Sequence, residues 1–178
     1  MHPKLFIISL VAVLVGCAAP PATRSEYNLG VDAYRVKDYA AARLHWSKAV
    51  DEQELSAFNN LGYLLYYGLG GEPDTTRAVS LWLKAARDGH SEAQWHLGRA
   101  FEDGEGTKQS TIEAYAWYRC AVANSQAGAK DNDSEAQIAQ DASKALISVL
   151  RKLPAEKLEA AELLARQYIA MYARVAGA

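Results

Sequence analysis

The hydrophobic pattern of the chain is helical, and one stretch of it occurs twice. Over residues 57–86, small and apolar residues share one face of a first helix and, after a break, one face of a second. Residues 93–122 repeat this pattern 36 positions later, with Ala57, Leu61, Gly62, Gly68, Gly70, Ala78 and Ala85 falling on Ala93, Leu97, Gly98, Gly104, Gly106, Ala114 and Ala121. Repetition at this interval predicts an all-α stack of helical hairpins.

Glycines and capping residues predict where the helices of each copy begin and end. Gly68 and Gly70 separate the two helices of the first copy, at positions where a positive φ is expected. Asp74 and its counterpart Ser110 can accept hydrogen bonds from the free amides that open the second helix of each copy. Gly89 is expected to end the second helix of the first copy.

Gly62 and Gly98 lie inside predicted helices, where a glycine costs about 1 kcal/mol in helix propensity. We expect close helix packing to offset this cost. In that arrangement Gly62 would face Ala78 and Gly98 would face Ala114, so that no side chain separates the two backbones.

Residues 24–54 carry a shorter version of the same hairpin. Gly30 is followed by a small residue, a ring and a small residue after 12, 16 and 19 positions, which are Ala42, Trp46 and Ala49. In the longer copies the matching residues follow after 16, 20 and 23 positions, so the difference is a constant four residues in the loop. The shorter spacing is the tetratricopeptide pattern.

The remainder of the chain after the repeats predicts a terminal pair of helices. Residues 124–133 are polar and predict a linker, after which Ser134 can cap a helix that runs to about Arg151. Pro154 is tolerated in the first turn of a last helix. This pair is expected to cover the apolar edge of the last hairpin, because a terminal repeat must hide that edge.

Residues 1–16 have the features of a signal peptide. Lys4 supplies a positive start, and the apolar run of 11 residues that follows is too short to span a membrane as a helix. The run ends in Leu14-Val15-Gly16-Cys17, which resembles the lipobox of bacterial lipoproteins.

The lipobox resemblance implies cleavage before Cys17 and attachment of lipid to its sulfur. Ala18, where an Asp would favour retention, implies sorting to the outer membrane with the protein facing the periplasm. Residues 17–23 would then form a lipidated, semi-extended tether. The alternative is an ordinary signal peptide with a cysteine at this place by chance.

Together, these motifs resemble a small Sel1-like repeat lipoprotein of a Gram-negative bacterium, because a hairpin loop lengthened by four residues is typical of Sel1-like repeats. The resemblance implies a right-handed α-solenoid in which a tetratricopeptide-like hairpin (24–54), two Sel1-like repeats (55–90 and 91–125) and a linker with capping helices (126–178) follow one another. The chain departs from the family pattern after the second loop glycine, where Gly71-Glu72 and Thr107-Lys108 stand in place of the usual Val-Pro pair.

Composition excludes some functions and leaves one question open. The 178 residues suffice for one domain, and 19 basic and 21 acidic side chains, which are interspersed, give no electrostatic case for binding nucleic acid. If Cys17 is lipidated, Cys120 has no partner within the chain for a disulfide. Cys120 is then either a small core residue or a reactive thiol.

The sequence contains no recognisable catalytic or cofactor motif. It lacks a nucleophile elbow, a Walker loop and a zinc-binding pair of histidines, so we expect no cofactor, no metal and no catalytic residue. His90 and His96 are six residues apart and fall on different helical faces. Glu102, Asp103 and Glu105 are more typical of a solvated cluster than of a metal site.

The first helices of such a stack line a concave surface that can bind a partner. Counted from each helix glycine, the outward positions −3, +1 and +4 are Tyr27, Val31 and Tyr34, then Asn59, Tyr63 and Tyr66, and then Trp95, Arg99 and Glu102. Aromatic residues together with Arg and Asn are typical of a binding patch. We therefore expect a partner to contact Tyr27, Asn59, Tyr63, Tyr66, Trp95, Arg99 and Glu102, although rings such as Trp95 and Tyr34 could instead pack between hairpins.

Three functions fit this surface. The first is a non-catalytic interaction module, tethered to the outer membrane, that binds a protein or peptide in the periplasm. The second is an immunity or inhibitor lipoprotein that neutralises a secreted toxin, a role that the resemblance implies for some members. The third is an enzyme that acts on β-lactams or peptidoglycan, which is disfavoured because the paired cysteines of the relatives linked to this activity are absent.

Overall fold

A computed structural model describes residues 24–128 and 132–173, and within these ranges the chain is entirely helical. The α-helices are α1 (Glu26–Arg35), α2 (Tyr39–Asp51), α3 (Leu55–Tyr66), α4 (Thr75–Arg87), α5 (Ser91–Asp103), α6 (Thr111–Gly128), α7 (Asp133–Lys152) and α8 (Leu158–Tyr172), with a 3₁₀ turn at Ala155–Lys157. The predicted signal peptide and tether, including Cys17, lie outside the described residues.

The helices pair in sequence order into stacked hairpins. Helices α1 and α2, α3 and α4, and α5 and α6 form three antiparallel pairs, and each pair contacts the next through α2 with α3 and α4 with α5. The predicted all-α solenoid is confirmed. Helices α7 and α8 both pack on α6, so the terminal pair covers the last hairpin.

A capping side chain opens the second helix of each hairpin, as predicted for Asp74 and Ser110. Asp38 accepts a hydrogen bond from the amide of Ala41 at 3.0 Å, and Asp74 accepts one from the amide of Arg77 at 3.0 Å. Ser110 accepts from the amide of Glu113 at 3.2 Å. These bonds satisfy amides that have no partner within the helix.

The helix glycines face aromatic rings, so the prediction that Gly62 faces Ala78 and Gly98 faces Ala114 is wrong. A Cβ atom at Gly62 would lie 2.6 Å from Nε1 of Trp82, and one at Gly98 would overlap the ring of Tyr118. Gly30 makes the same space for Trp46. In each hairpin the missing side chain admits a large ring from the second helix, which then fills the space between the two helices.

The loop glycines join each hairpin to the one before it. Gly70 has φ +78°, and a Cβ atom there would overlap the backbone of Tyr39 at the start of α2. Gly106 has φ +74° and lies in the same way against Thr75 at the start of α4. Arg43 adds a hydrogen bond from Nη2 to the carbonyl of Glu72 in the loop, at 3.0 Å. Both the left-handed backbone and the close contact require glycine.

Helix α6 continues to Gly128, so the linker predicted to begin at residue 124 is wrong over its first part. The reason is that Asn124 is polar but buried. Its amide donates hydrogen bonds to Oε1 of Gln94 at 2.8 Å and to the carbonyl of Tyr172 at 3.1 Å. A polar residue with two such partners belongs to the core of the helix packing.

Asn132, and not Ser134, caps helix α7. The side chain of Asn132 accepts a hydrogen bond from the amide of Ser134 at 3.0 Å.

Aromatic rings fix the terminal helix pair to the stack. Trp117 of α6 packs against Tyr168 and Tyr172 of α8 with centroid distances of 4.5 and 5.7 Å.

Cys120 is a core residue, which confirms one of its two predicted roles. Its side chain is buried on α6, and Sγ lies 3.6 Å from the carbonyl oxygen of Tyr168. Burial raises the pKa of the Cys120 thiol to about 12, so the thiol stays protonated at neutral pH.

No helix in the described part of the chain is both long enough and apolar enough to cross a membrane.

Candidate functional site

The first helices of the hairpins, together with α7, leave two cavities that meet at one residue. The first, here called the aromatic cavity, has a volume of about 520 Å³ and is lined by Val31, Tyr34, Arg35, Trp46, Asn59, Asn60, Tyr63 and Glu92. The second, here called the acidic cavity, has a volume of about 450 Å³ and is lined by Glu92, Trp95, Asp133, Ser134, Gln137, Ile138 and Asp141. Glu92 lines both, so we treat them as one groove.

Glu92 is held in place by the amide of Asn59. Nδ2 of Asn59 donates to Oε2 of Glu92 at 2.9 Å across the contact between α3 and α5. The other carboxylate oxygen, Oε1, lies 3.9 Å from Nε2 of His96 and accepts no hydrogen bond from any described residue. Burial raises the pKa of Glu92. The side chain of Glu92 is nonetheless 43% exposed, so this oxygen faces solvent in the groove and remains available as an acceptor.

His96 lies beneath this carboxylate in an apolar setting. It is 3% exposed and stacks on Trp82 with a centroid distance of 4.5 Å and an interplanar angle of 12°. Burial lowers the pKa of His96 to about 3, so the ring is neutral near pH 7 and does not balance the charge of Glu92. Nε2 has no hydrogen-bond partner among the described residues.

Tyrosine and tryptophan rings form the wall of the aromatic cavity. Tyr34 packs against Trp46 with a centroid distance of 5.6 Å, and Tyr63 lies 5.8 Å from the ring of His96. Burial raises the pKa of Tyr34, and the proximity of Tyr63 and Glu92 raises it further. The two phenols and the carboxylate therefore share one local environment.

The structure brings four of the outward positions predicted from the sequence into the aromatic cavity: Val31, Tyr34, Asn59 and Tyr63. Trp95 lines the acidic cavity. Arg99 lies beside Trp95, with its guanidinium carbon 5.7 Å from the ring centroid of Trp95. Its Nη1 lies 3.1 Å from the hydroxyl of Tyr67.

Tyr27 lines neither cavity. It is half-buried against the core, and its carbonyl accepts a hydrogen bond from Nε1 of Trp46 at 3.2 Å. Its expected contact with a partner stays a prediction.

Tyr66 and Glu102 do not face the groove, which corrects two of the predicted outward positions. Tyr66 is 8% exposed and packs on Trp82 with a centroid distance of 5.0 Å, beside Glu105 of the next loop. Glu102 accepts hydrogen bonds from the hydroxyl of Tyr118 at 3.0 Å and from Nζ of Lys152 at 2.6 Å. Both lie in the last turn of a first helix in the two longer repeats, where rings of the second helix and the longer loops cover position +4. In the shorter hairpin, Tyr34 at the same position lines the cavity.

The other residues that line the groove were missed from the sequence: Arg35, Trp46, Asn60 and Glu92 in the aromatic cavity, and Asp133, Ser134, Gln137, Ile138 and Asp141 of α7 in the acidic cavity. Glu92 lies six positions before Gly98, outside the −3, +1 and +4 pattern, although it falls on the same side of the helix as Trp95 and Arg99. Extending the pattern by one turn toward the helix start would have found it.

The described residues, 24–128 and 132–173, contain no group of three or more His, Cys, Asp or Glu side chains that could hold a metal ion.

The Sel1 repeat model matches residues 56–90 and 91–125. Among characterised and uncharacterised relatives, the alginate biosynthesis protein AlgK of Pseudomonas syringae pv. tomato is 32% identical over 149 residues, covering 81% of this chain and 29% of that protein. An uncharacterized protein of Neisseria meningitidis serogroup B is 34% identical over 116 residues, covering 58% of this chain and 25% of that protein. The chain thus spans between a quarter and a third of the length of these relatives.

Two solved structures resemble the fold. One is c5321, a protective antigen of uropathogenic Escherichia coli that displays an SLR fold, with a TM-score of 0.72 and 31% identity, covering 83% of this chain and 30% of that one. The other is a Sel1 repeat protein from Oxalobacter formigenes, with a TM-score of 0.56 and 28% identity, covering 69% of this chain and 55% of that one.

Sel1 repeat proteins are protein-interaction modules, and their fold is typically a non-catalytic scaffold. The repeated motif, the stacked hairpins and the likeness to solved structures agree. This chain contains two Sel1 repeats, at residues 56–90 and 91–125.

Proposed function

We propose that the protein is a non-catalytic adaptor that binds a protein or peptide along the groove formed by its first helices. The observation that carries this proposal is that the aromatic and acidic cavities meet at Glu92. Accessible rings beside polar groups without partners are typical of binding surfaces. Such rings supply most of the affinity when the bound partner buries them. The proposal extends to this chain what Sel1 repeat proteins do in general.

We further propose that the adaptor is anchored to the outer membrane through lipid on Cys17 and faces the periplasm. The support is the Leu14-Val15-Gly16-Cys17 sequence followed by Ala18. Acyl chains on one cysteine contribute about 0.8 kcal/mol for each buried CH₂ group, so several chains hold a protein firmly. Residues 18–23 would separate the first helix from the membrane surface.

Photo-crosslinking tests the groove. A photoreactive phenylalanine analogue placed at Tyr63, within the groove, is expected to form a discrete crosslinked species in Gram-negative envelopes. The same analogue at Lys84, an exposed residue of α4, is the matched control and is expected to form none. Equal crosslinking at both positions, or none at Tyr63, would argue against a groove-dependent adaptor.

Fractionation tests the anchor separately. In a Gram-negative host, Cys17→Ser is expected to abolish labelling by a radioactive fatty acid and to release the protein from the membrane fraction. Ala18→Asp is expected to keep the label and to move the protein to the inner membrane. An unmodified but membrane-free wild-type protein would refute the lipid anchor and leave the groove proposal standing.

A further inference from the structure

We propose that the aromatic cavity is the subsite for a basic side chain, lysine or arginine, of the bound peptide. This inference rests on the proposed peptide-binding function and adds the chemistry that the groove recognises. It follows from three features: the unused hydrogen-bond acceptors of the cavity, its aromatic wall and the charges along the whole groove.

The polar atoms without partners in this cavity are acceptors. Oε1 of Glu92 accepts no hydrogen bond from a described residue, while Oε2 is fixed by the amide of Asn59 at 2.9 Å. Oδ1 of Asn59, in a residue that is 2% exposed, also has no partner in the described part of the chain. An ammonium or guanidinium group offers only donors, so it matches this set, and hydrogen bonds to an ionised acceptor are the strong ones.

The rings around the carboxylate suit a cation as well. Tyr34, Trp46 and Tyr63 line the same cavity as Glu92. A cation above the face of such a ring is attracted by the negative face of its π-system, most strongly when water is excluded. The aliphatic stem of a lysine or arginine would pack against Val31 and these rings, as long basic side chains commonly do. The cavity volume of about 520 Å³ accommodates such a side chain.

The charges along the groove favour a basic partner. The linings of the two cavities contain three carboxylates, Glu92, Asp133 and Asp141, against one cation, Arg35, and Lys144 pairs with Asp141 at 3.3 Å. The side chain of Arg35 is 74% exposed, so solvent screens its charge. His96 is neutral at physiological pH, so it adds no positive charge beneath Glu92. Like-charge contacts would therefore disfavour an acidic peptide at this subsite.

An NMR titration of the full-length chain in detergent tests the subsite with small probes. The probes are N-acetyl-arginine amide and N-acetyl-lysine amide, with N-acetyl-citrulline amide as the uncharged match for arginine. At least one basic amide is expected to give saturable shifts of the indole resonance of Trp46. The citrulline amide is expected to bind at least tenfold more weakly than that basic amide. Comparison of the two basic amides decides which side chain fits better.

Glu92→Gln is expected to weaken binding of the basic amides at least tenfold, because it removes the charge and keeps an acceptor for the amide of Asn59. Glu159→Gln, an exposed substitution on α8, is the control and is expected to change nothing. Native-like spectra of both variants show that they are folded.

Equal binding of citrulline and arginine amides would overturn the inference, as would undiminished binding by a folded Glu92→Gln variant or no saturation by either basic amide. Tighter binding of choline than of both amides would also contradict a peptide side chain as the occupant. These outcomes are separate from the adaptor proposal. If the crosslink at Tyr63 persists in Glu92→Gln, the adaptor proposal stands and the basic subsite fails.

Discussion

Trp82 lies with its indole nitrogen in the space that a side chain at Gly62 would occupy. The same nitrogen donates a hydrogen bond to the carbonyl of Asn59, three residues before the glycine, at 3.2 Å. Trp46 repeats both contacts in the first hairpin, with Gly30 and the carbonyl of Tyr27. The glycine and the ring are therefore one unit of packing, and its hydrogen bond fixes how far the second helix can slide along the first.

Gly62→Ala is expected to lower the free energy of unfolding by about 2 kcal/mol. The added methyl group would lie 2.6 Å from Nε1 of Trp82, whose buried ring has little room to move, and overpacking of this kind typically costs about 1–3 kcal/mol. A gain of about 1 kcal/mol in helix propensity offsets part of this cost. Urea unfolding followed by tryptophan fluorescence measures the change.

Gly128→Ala is the matched control for this substitution. Gly128 is the last residue of α6, and a Cβ atom there would meet only the side chain of Glu135, at 3.3 Å or more. We expect its stability to stay within about 0.5 kcal/mol of the wild type. If Gly62→Ala is equally harmless, the ring does not depend on the glycine.

Gln94→Leu is expected to destabilise the protein by about 1–3 kcal/mol. Gln94 is fully buried, and its Nε2 donates to the carbonyl of Ala86 at 2.9 Å while its Oε1 accepts from Asn124 at 2.8 Å. Leucine has approximately the same volume but cannot form either hydrogen bond. The carbonyl of Ala86 and the amide of Asn124 would therefore each lose a partner. Thermal unfolding compares it with Gln167→Leu, an exposed substitution on α8 that is expected to be neutral; equal melting temperatures would contradict the role of this network.

Cys120 is expected to resist thiol reagents in the folded protein. The thiolate is the reactive form, and burial raises the pKa of this thiol to about 12, which leaves almost none of it at pH 8. In a Cys17→Ser background, N-ethylmaleimide should label Cys120 only after unfolding in urea. Labelling of the native protein at the rate of a free peptide thiol would show that Cys120 is accessible and reactive.

His96 is expected to make the protein less stable as the pH falls from 7 to 5. Burial lowers the pKa of His96 to about 3, whereas the unfolded chain has a histidine pKa near 6.5, so the unfolded state binds the extra proton in this range. Stability therefore rises with pH through this window, and the contribution of this one residue between pH 5 and 7 is about 2 kcal/mol.

His96→Phe isolates this effect, because phenylalanine keeps a ring against Trp82 and does not titrate. Glu92 acts in the opposite direction, since its pKa is raised by burial, and Arg99 and His90 also lie near enough to disfavour protonation of His96. Urea unfolding of wild type and variant at pH 5 and pH 7 gives the difference. A variant with the same pH dependence as the wild type would show that His96 titrates normally in the folded protein.

The features that the sequence predicted well are those set by local backbone chemistry. The loop glycines have the expected positive φ, as Gly68 at +65° shows, and Asp74 caps its helix as expected. The hairpin stack follows from the 36-residue interval, because each repeat must bury its apolar face against a neighbour. The prediction that Ala78 faces Gly62 was wrong because Trp82 and Ala78 lie one helical turn apart on the same face of α4. Only the packing of the two helices decides which of them reaches the glycine.

The features that the sequence missed depend on contacts between distant segments. Asn124 lies in a polar stretch that is typical of a linker. It becomes a core residue only because its amide donates hydrogen bonds to Gln94 and to the carbonyl of Tyr172. The candidate groove was found through Asn59 and Tyr63, whereas Glu92 was missed because its role comes from a bond to Asn59 in the preceding hairpin. Pairings of this kind leave no periodic signal in the chain.

The contact between a loop glycine and the preceding hairpin bears on how such chains change length. Gly70 meets Tyr39, and Gly106 meets Thr75, so the two partners in each joint are separated by the same distance along the chain, and the joints themselves are 36 residues apart. Duplication of a 36-residue block within the repeats therefore preserves the separation between each loop glycine and the helix start that it contacts. A gene encoding this stack can gain or lose whole units in a single event, whereas an insertion of a few residues between a loop glycine and its contact partner changes their separation.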